Sequence, residues 1–351
     1  MSTSAVEKHN QNDLNLNLLT DQLGRELAYV RISLTDQCNF RCTYCMPAHI
    51  FNNGYKYIPR SDYLNFEEIA RIAHVVAGMG VRKIRLTGGE PLMRVGVEQL
   101  VEMLIQIPGI DEVTMTTNGY LLARKVDVLK RAGLSRLNVS LDSLDPDTFR
   151  EMNGGLADLQ DVLKGLDAAE EAGFESIKIN SVVKRGVNDQ GIVDLAMHFR
   201  ERGHTVRFIE YMDTGTVTDW RIDQVVTADE MIAMIHERAP IEPLPPRRDD
   251  DVARRYRFVE GGGEVGFITS VSDPFCGGCT RLRLTADGKI FTCLFGVVGH
   301  DLRKLLLEGA KDDELVEFIS NVWRRRSDRY SEVRSQIIAP LKKVEMNRVG
   351  G

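Results

Sequence analysis

Short apolar runs alternate with amphipathic segments along the chain from Val30 to Met212. The apolar runs predict strands at Val30–Leu34, Lys83–Thr87, Glu112–Thr116, Arg136–Leu141, Ser176–Val182 and Thr205–Glu210. The segments between them carry apolar residues three and four positions apart, which predicts helices at Phe66–Met79, Val97–Gln106, Leu121–Ala132, Leu159–Ala172 and Asp189–Arg202. Strands that alternate with helices predict an α/β fold, built here as an incomplete (β/α)6 TIM-like barrel.

The same patterning divides the chain into four parts. Residues 1–20 are polar and predict a disordered tail, and residues 21–240 form the partial barrel. Beyond the barrel, residues 241–340 predict a C-terminal domain, and residues 341–351 a C-terminal tail that ends in Gly350-Gly351. The mixed charges of Pro245–Arg255 and the run Arg324–Arg326 predict solvated surfaces.

Composition narrows the class of protein. The 351 residues are 43% hydrophobic and 27% charged, as in soluble enzymes, and the formal net charge of −6 argues against nucleic-acid binding. The N-terminal residues lack the apolar run of a signal peptide, and no segment is apolar enough to span a membrane. We therefore expect a cytoplasmic protein whose six cysteines are reduced thiols or metal ligands.

The first cysteine group follows the first predicted strand. Cys38, Cys42 and Cys45 have the spacing C-x3-C-x2-C. Three thiolates on one loop suit three corners of an iron–sulfur cubane and leave one iron open. The alternatives are a zinc site that lacks its fourth ligand and three unrelated core thiols, although structural zinc is normally closed by four ligands.

This group resembles the signature of the radical SAM superfamily, in which an aromatic residue precedes the last cysteine. Tyr44 occupies that position, and Thr87–Pro91 resembles the glycine-rich motif that approaches the methionine part of S-adenosylmethionine. The resemblance implies a 4Fe-4S cluster with S-adenosylmethionine as a cofactor. The residues that it implies for S-adenosylmethionine binding are Tyr44, Gly89, Ser140 and Met212.

A second group of cysteines lies in the predicted C-terminal domain. Cys276, Cys279 and Cys293 have the spacing C-x2-C-x13-C, again three ligands rather than four. A zinc knuckle completed by His300 and a redox-active pair are the alternatives to a second 4Fe-4S cluster with an open iron. Arg281 and Arg283 follow on an extended segment, where side chains two residues apart point the same way and could hold one polyanion.

Both groups together resemble one branch of the superfamily, the enzymes that act on GTP at the start of molybdenum cofactor biosynthesis. The resemblance covers the chain from about residue 24 onward. It implies GTP contacts by Arg31, Arg85, Thr116, Lys178, Arg281, Leu282 and Arg283. It also implies that Arg283, Gly350 and Gly351 are catalytic residues, with the glycine tail reaching into the active site.

The implied reaction begins with a 5′-deoxyadenosyl radical that takes the ribose 3′ hydrogen of GTP. The carbon radical then attacks guanine carbon 8, and reduction gives 3′,8-cyclo-7,8-dihydro-GTP. The resemblance further implies a reductant of the flavodoxin or ferredoxin type, a homodimer, and transfer of the product to cyclic pyranopterin monophosphate synthase. Two alternatives are a radical SAM enzyme that modifies a peptide beside an auxiliary cluster, and a non-enzymatic zinc-bearing interaction module.

Overall fold

The computed structural model describes residues 19–247, 251–336 and 342–351. The predicted tail therefore lies outside the described residues except for two positions: Leu19 is buried in the core, and Thr20 forms a β-bridge with Glu26. Residues 248–250 of the charged segment, 337–340 of the predicted C-terminal domain and residue 341 of the C-terminal tail also lie outside the described residues.

Six parallel strands form the centre of the sheet. They are β1 Tyr29–Ser33, β2 Lys83–Thr87, β3 Glu112–Thr117, β4 Arg136–Ser140, β5 Lys178–Val183 and β6 Thr205–Glu210. Each strand pairs in parallel with the next one along the chain. The predicted strands are thus confirmed, with bounds that shift by one or two residues, and the fold is α/β with a mostly parallel sheet.

Helices connect these strands over the outer face of the sheet. They are α1 Phe66–Gly78, α2 Val97–Ile105, α3 Val126–Arg131, α4 Pro146–Met152, α5 Leu159–Glu171, α6 Ile192–Glu201 and α7 Ala228–Arg238. Reciprocal caps start α1 at Asn65 and Glu68 and α7 at Thr227 and Glu230, because each pair satisfies backbone groups that the first turn leaves unpaired. The short helix α4 lies outside the predicted elements.

The C-terminal strands extend this same sheet. They are β7 Ile241–Leu244, β8 Arg254–Phe258, β9 Glu264–Ile268, β10 Arg281–Leu284, β11 Lys289–Phe291 and β12 His300–Asp301. Over the described residues the strand order is β12-β11-β10-β1-β2-β3-β4-β5-β6-β9-β8-β7. Strand β10 pairs in parallel with β1, and β9 in parallel with β6, so the two edges that six strands would leave unpaired are both covered.

The remaining helices are α8 Leu302–Leu307, α9 Asp312–Arg324, α10 Tyr330–Val333 and α11 Met346–Val349. One hydrophobic core includes residues of the central strands and of the C-terminal region, such as Leu282, Leu315 and Trp323. The C-terminal region therefore shares a core and a sheet with the predicted barrel. In the described part of the chain, no helix is both long and apolar enough to cross a membrane.

Apolar and basic side chains alternate along the central strands, so that one face of the sheet lines a polar cavity. On β1, Val30 and Ile32 are buried in the hydrophobic core, whereas Arg31 projects to the opposite face. The same alternation places Arg85 on β2 and Arg207 on β6 at that face. Closed (β/α)8 barrels normally fill this interior with branched apolar residues, so a basic inner face indicates a site for an anionic ligand.

Candidate active site

One cavity lies at the carboxyl ends of the parallel strands, and all six cysteines line it. The other sequence-predicted residues along its wall are Arg31, Tyr44, Arg85, Gly89, Thr116, Ser140, Met212, Arg281, Arg283 and Gly351. Lys178, Leu282 and Gly350 are the predicted residues that do not line it. Two cysteine groups that are more than 200 residues apart in sequence thus share one cavity, because β10 lies beside β1.

The first cysteine group lies on a loop that Arg41 supports from behind. The guanidinium of Arg41 donates to the carbonyl oxygens of Cys38 at 2.7 Å, Phe40 at 2.8 Å and Phe51 at 2.8 Å. The backbone N–H of Cys45 donates to the carbonyl of Cys42, which folds the end of the loop into a turn. These bonds hold the loop in shape through its backbone and leave the three thiols directed into the cavity.

Burial disfavours the charged form of the thiols on this loop. Burial raises the pKa of Cys38 to about 12, with a further contribution from Glu90, and burial also raises the pKa values of Cys42 and Cys45. A buried thiolate therefore needs a cation, which the irons of a cluster would supply. Within the described ranges, no three His, Cys, Asp or Glu side chains converge to hold a single metal ion; a cubane instead takes each thiolate on a different iron.

The glycine-rich motif packs directly against the loop that carries Cys38. Gly89 donates its N–H to the carbonyl of Thr35 at 2.7 Å, and a Cβ added at Gly89 would lie 2.1 Å from the carbonyl oxygen of Gln37. The sequence argument for this glycine was close approach to a ligand. The structure adds a second reason, since any side chain here would displace the cysteine loop.

Glu90 joins the same motif to the third strand. Its carboxylate accepts from the Thr117 hydroxyl at 2.7 Å, from the Asn118 N–H at 2.7 Å and from the Leu92 N–H at 3.0 Å. Burial nevertheless raises its pKa to about 7, because the hydrogen bonds offset only part of the desolvation.

Tyr44 is held by the carboxylate of Asp142, which follows β4. Its hydroxyl donates to Asp142 at 2.8 Å, and Asp142 also accepts from the Val182 N–H at 2.8 Å. Burial raises the pKa of Asp142 to about 6. Ser140 lies at the end of β4 and Met212 just beyond β6, so the four residues predicted for S-adenosylmethionine all line this cavity.

The second cysteine group lies on a short 3-10 turn, Cys276–Gly278, and on the loop after β11. Burial alone would raise the pKa of Cys279, but the charges of Arg281 and Arg326 outweigh it and lower that pKa to about 6. Burial raises the pKa of Cys293 to about 11, helped by the negative charge of Asp328. The two arginines therefore favour the thiolate form of Cys279.

The structure corrects the prediction that all of Arg324–Arg326 is a solvated surface. Arg324 and Arg325 are exposed, but Arg326 lies just beyond α9 and is only 4% exposed. Its guanidinium donates to the carbonyl of Cys279 at 2.6 Å and lies over the ring of Trp323. The run of three arginines in the sequence does not reveal that Arg326 is buried, because the chain turns inward only where α9 ends.

Arginines from four strands gather on the inner face of the sheet. Arg31 lies beside Arg85 and Arg283 in the registers of β1 with its two neighbours, and Arg281 and Arg207 complete the set. Burial, together with the charges of neighbouring arginines, lowers the pKa of Arg31 to about 10 and that of Arg283 to about 9. Such a concentration of buried cations calls for a polyanion.

Arg207 is a basic residue of this face that the resemblance did not mark. Burial, followed by the charge of Arg85, lowers its pKa to about 10. The signal was available, because Arg207 alternates with the apolar residues Val206 and Phe208 on a predicted strand and therefore projects to the cavity side.

Lys178 lies on the same face of β5 as Asn180, one layer deeper than the cavity wall. Burial lowers its pKa to about 6, and the charges of Arg207, Arg136 and Lys83 add to that effect. Leu282 projects the other way from Arg281 and Arg283, and its side chain is buried in the hydrophobic core. Leu282 can therefore reach a ligand only through its backbone.

The C-terminal tail docks on the same arginines. The Arg283 guanidinium donates to the carbonyls of Gly350 and of Val349, the latter at 3.1 Å, and Arg31 donates to the Gly350 carbonyl at 3.4 Å. Asn347 anchors the tail by donating to the Asp36 carbonyl at 2.7 Å. Gly350 has a φ of 71°, and an added Cβ would lie 2.4 Å from the Thr87 side chain, so glycine is required there.

Comparison with known proteins identifies the family of this chain. Residues 32–199 match the family model described as Radical SAM superfamily, and residues 204–332 match the one described as Molybdenum Cofactor Synthesis C. The chain is 52% identical over 321 residues to the GTP 3′,8-cyclase of Acidothermus cellulolyticus, covering 90% of this chain and 89% of that protein. It is 45% identical over 339 residues to the GTP 3′,8-cyclase of Xanthomonas campestris pv. campestris strain B100, covering 97% and 99%.

Among solved structures, methylornithine synthase (PylB) has a TM-score of 0.48 and 16% identity to this chain, covering 60% of this chain and 62% of that chain.

The parallel α/β sheet, with a C-x3-C-x2-C loop after its first strand, defines a radical SAM enzyme. More narrowly, the chain belongs to the GTP 3′,8-cyclase family.

Proposed function

We propose that this chain uses radical SAM chemistry to cyclise GTP to 3′,8-cyclo-7,8-dihydro-GTP, in the first step of molybdenum cofactor biosynthesis. The observation that carries the proposal is the single cavity in which two cysteine triads meet a row of buried arginines. A radical generator alone needs neither the second triad nor the arginines. Family membership at 45–52% identity over nearly the whole chain supports the same reaction.

The first triad would hold a 4Fe-4S cluster that, with S-adenosylmethionine bound, supplies a 5′-deoxyadenosyl radical to remove the ribose 3′ hydrogen. Cys38, Cys42 and Cys45 would be its ligands, and Arg41 and Gly89 keep their loop in place. Tyr44, Ser140 and Met212 would bind S-adenosylmethionine, with Asp142 fixing the Tyr44 ring through its hydroxyl. The backbone beside Gly89 would take the methionine end.

The second triad would hold another 4Fe-4S cluster, with Cys276, Cys279 and Cys293 as ligands. Buried thiols that border the cavity and lie beside cations fit such a group, because the cations offset the charge of the thiolates. Its open iron would bind the purine edge of GTP. The C-terminal strands that carry this triad would then close the partial barrel and complete the site, as one domain with it rather than apart from it.

The basic inner face would bind the triphosphate. Arg31, Arg85, Arg281 and Arg283 offer forked donors that suit phosphate oxygens, and Arg207 adds charge. Lys178 would add its charge once the triphosphate raises its lowered pKa. Thr116 accepts from Arg85 at 3.3 Å and helps to orient it. Arg283 and the tail residues Gly350 and Gly351 would act at the reacting ribose, with Leu282 contributing backbone contacts only.

The remaining partners follow from the family. We propose a flavodoxin- or ferredoxin-type reductant, a homodimer, a cytoplasmic location, and transfer of the product to cyclic pyranopterin monophosphate synthase. The acidic net charge of −6 supports a role without nucleic acid.

The test is turnover under anaerobic reduction. Reconstituted protein, incubated with GTP and S-adenosylmethionine, is expected to form 5′-deoxyadenosine and a product that oxidation converts to a fluorescent pterin. ATP in place of GTP is the matched control, since it keeps the triphosphate but changes the purine edge. Iron analysis is expected to give about eight irons per chain. Cleavage of S-adenosylmethionine that does not depend on GTP would contradict the proposal and favour the peptide-modifying alternative.

A further inference from the structure

A buried group of three charged side chains lies directly behind the second cysteine loop. Asp21 and Arg25 precede β1, and Arg326 follows α9. Their exposed fractions are 7%, 4% and 4%. The Asp21 carboxylate lies 2.6 Å from the Arg25 Nε and 3.3 Å from the Arg326 Nη1, so it holds both guanidinium groups.

Both arginines also donate hydrogen bonds to the second cysteine loop. Arg25 donates to the Cys276 carbonyl at 2.8 Å, and Arg326 donates to the Cys279 carbonyl at 2.6 Å. The two carbonyls lie at the ends of the CXXC turn. We propose that Asp21, Arg25 and Arg326 form a clamp that positions this turn and tunes the reduction potential of the second cluster, an inference that rests on the proposed function.

The surroundings show that the clamp is built for a fixed geometry. Arg25 also donates to the Asp328 carbonyl at 2.8 Å, and its own carbonyl accepts from the indole N–H of Trp323 at 3.1 Å. Trp323 is fully buried, and the Arg326 guanidinium lies 4.5 Å from the centre of its ring. Both Asp21 oxygens are engaged, because Oδ2 contacts the two guanidinium groups and Oδ1 accepts from the backbone N–H groups of Leu23 and Arg25.

Two features connect the clamp to the cluster rather than to folding alone. Arg25 and Arg326 both line the cavity beside the second triad, and the Arg25 Nη2 is buried without a hydrogen-bond partner among the described residues. Buried ion pairs seldom add net stability over apolar residues of the same size, so stability is a poor reason for this group. The Asp328 carboxylate lies 3.5 Å from the Arg326 Nε and acts on Cys293, so the charges of the two arginines and the two aspartates balance beside the second triad.

Removing one cation or one anion from this balanced group predicts opposite effects for two substitutions. Reduction adds an electron to the cluster, so a nearby cation raises its reduction potential and an anion lowers it. Arg326→Met is expected to shift the potential of the second cluster to a more negative value, and Asp21→Asn to a more positive one. Arg325→Met is the matched control, because Arg325 is adjacent in sequence but exposed.

The experiment is a redox titration of reconstituted protein followed by EPR spectroscopy, with iron analysis of each variant. The signal of the first cluster with S-adenosylmethionine is the internal reference and is expected to stay unchanged. Arg326→Met is also expected to raise KM for GTP more than it lowers kcat. Selective loss of the second cluster from Arg326→Met, with the first retained, also supports the clamp, since the turn has then lost its support.

If Arg326→Met does not fold, Arg326→Lys replaces it, with Arg325→Lys as control. Lysine keeps the charge, but one ammonium does not reproduce the fork that reaches both Asp21 and Cys279, so lower occupancy of the second cluster is expected. Potentials and occupancies equal to those of the controls would overturn the clamp. Shifts of the same sign in Arg326→Met and Asp21→Asn would also overturn it, since they indicate general loosening. Four irons in the unsubstituted protein would instead remove the second cluster, and with it the proposed function.

Discussion

Gly89 illustrates how much of this site depends on single residues. Its N–H bonds to the Thr35 carbonyl, and its α-carbon faces the backbone of Gln37 so closely that a methyl group does not fit. The glycine therefore supports the first cysteine loop from the neighbouring strand, in addition to any contact with a ligand. A residue identified by a motif has here a packing role that the motif does not state.

Gly89→Ala is expected to displace the loop that carries Cys38 and to reduce the iron content by about half, since only the first cluster is affected. Iron analysis and EPR spectroscopy after anaerobic reconstitution check this. Gly277→Ala is the control, because Gly277 lies in the second cysteine loop with open space at its Cβ position. Full iron content in Gly89→Ala would show that the loop tolerates the methyl group.

At the scale of elements, β10 joins three parts of the site. It follows the second cysteine turn, pairs with β1, and presents Arg281 and Arg283 to the cavity while Leu282 enters the core. Arg283 also holds the tail through the carbonyls of Val349 and Gly350. The strand thus connects the second triad, the basic face and α11.

Arg283→Ala is expected to abolish cyclisation while leaving both clusters bound. The change removes a buried charged donor, which costs roughly 2–5 kcal/mol of binding, and it releases the tail. Product formation and iron content, measured on the same sample, check the two halves of the prediction. Arg257→Ala on β8 is the control, since Arg257 is exposed and its pair with Glu242 lies in solvent. Normal GTP turnover in Arg283→Ala would refute the role of the strand in the pocket.

At the scale of the whole molecule, the inner face concentrates positive charge in an acidic protein. This concentration of charge affects Lys178, whose pKa falls to about 6 because burial and the neighbouring cations both disfavour its charged form. Lys178 is therefore mostly uncharged at pH 7 in the free protein. A bound triphosphate would reverse this by supplying the missing negative charge.

GTP binding at pH 7 is expected to take up close to one proton at Lys178. The bound triphosphate raises the pKa of Lys178, which lies near 6 without ligand. The affinity for GTP therefore falls as pH rises above about 6, and it levels off once pH exceeds the raised pKa of Lys178. Calorimetry in two buffers with different ionisation enthalpies measures the uptake. Lys178→Met is expected to lower this uptake, whereas Lys164→Met on the exposed face of α5 is not. Equal uptake in the wild type and both variants would show that Lys178 does not face the triphosphate.

The sequence by itself determined the parts that depend on neighbours along the chain. The spacing of Cys38, Cys42 and Cys45, the alternation on each central strand and the glycine motif after β2 are local, and they predicted the strands and the radical chemistry. Arg31, Arg85, Arg281 and Arg283 were found the same way, because a strand has a period of two and the resemblance marked their positions.

Only the tertiary structure decided how distant parts combine. The pairing of β10 with β1 brings both triads to one cavity, and it also carries the second cysteine turn to Asp21 and Arg25, some 250 residues away in sequence. Arg326 looked like part of a solvated charge run, since nothing local shows that the chain turns inward after α9. Such contacts depend on which strand covers an open sheet edge, and the energy that selects that pairing comes from burial over the whole core rather than from any segment.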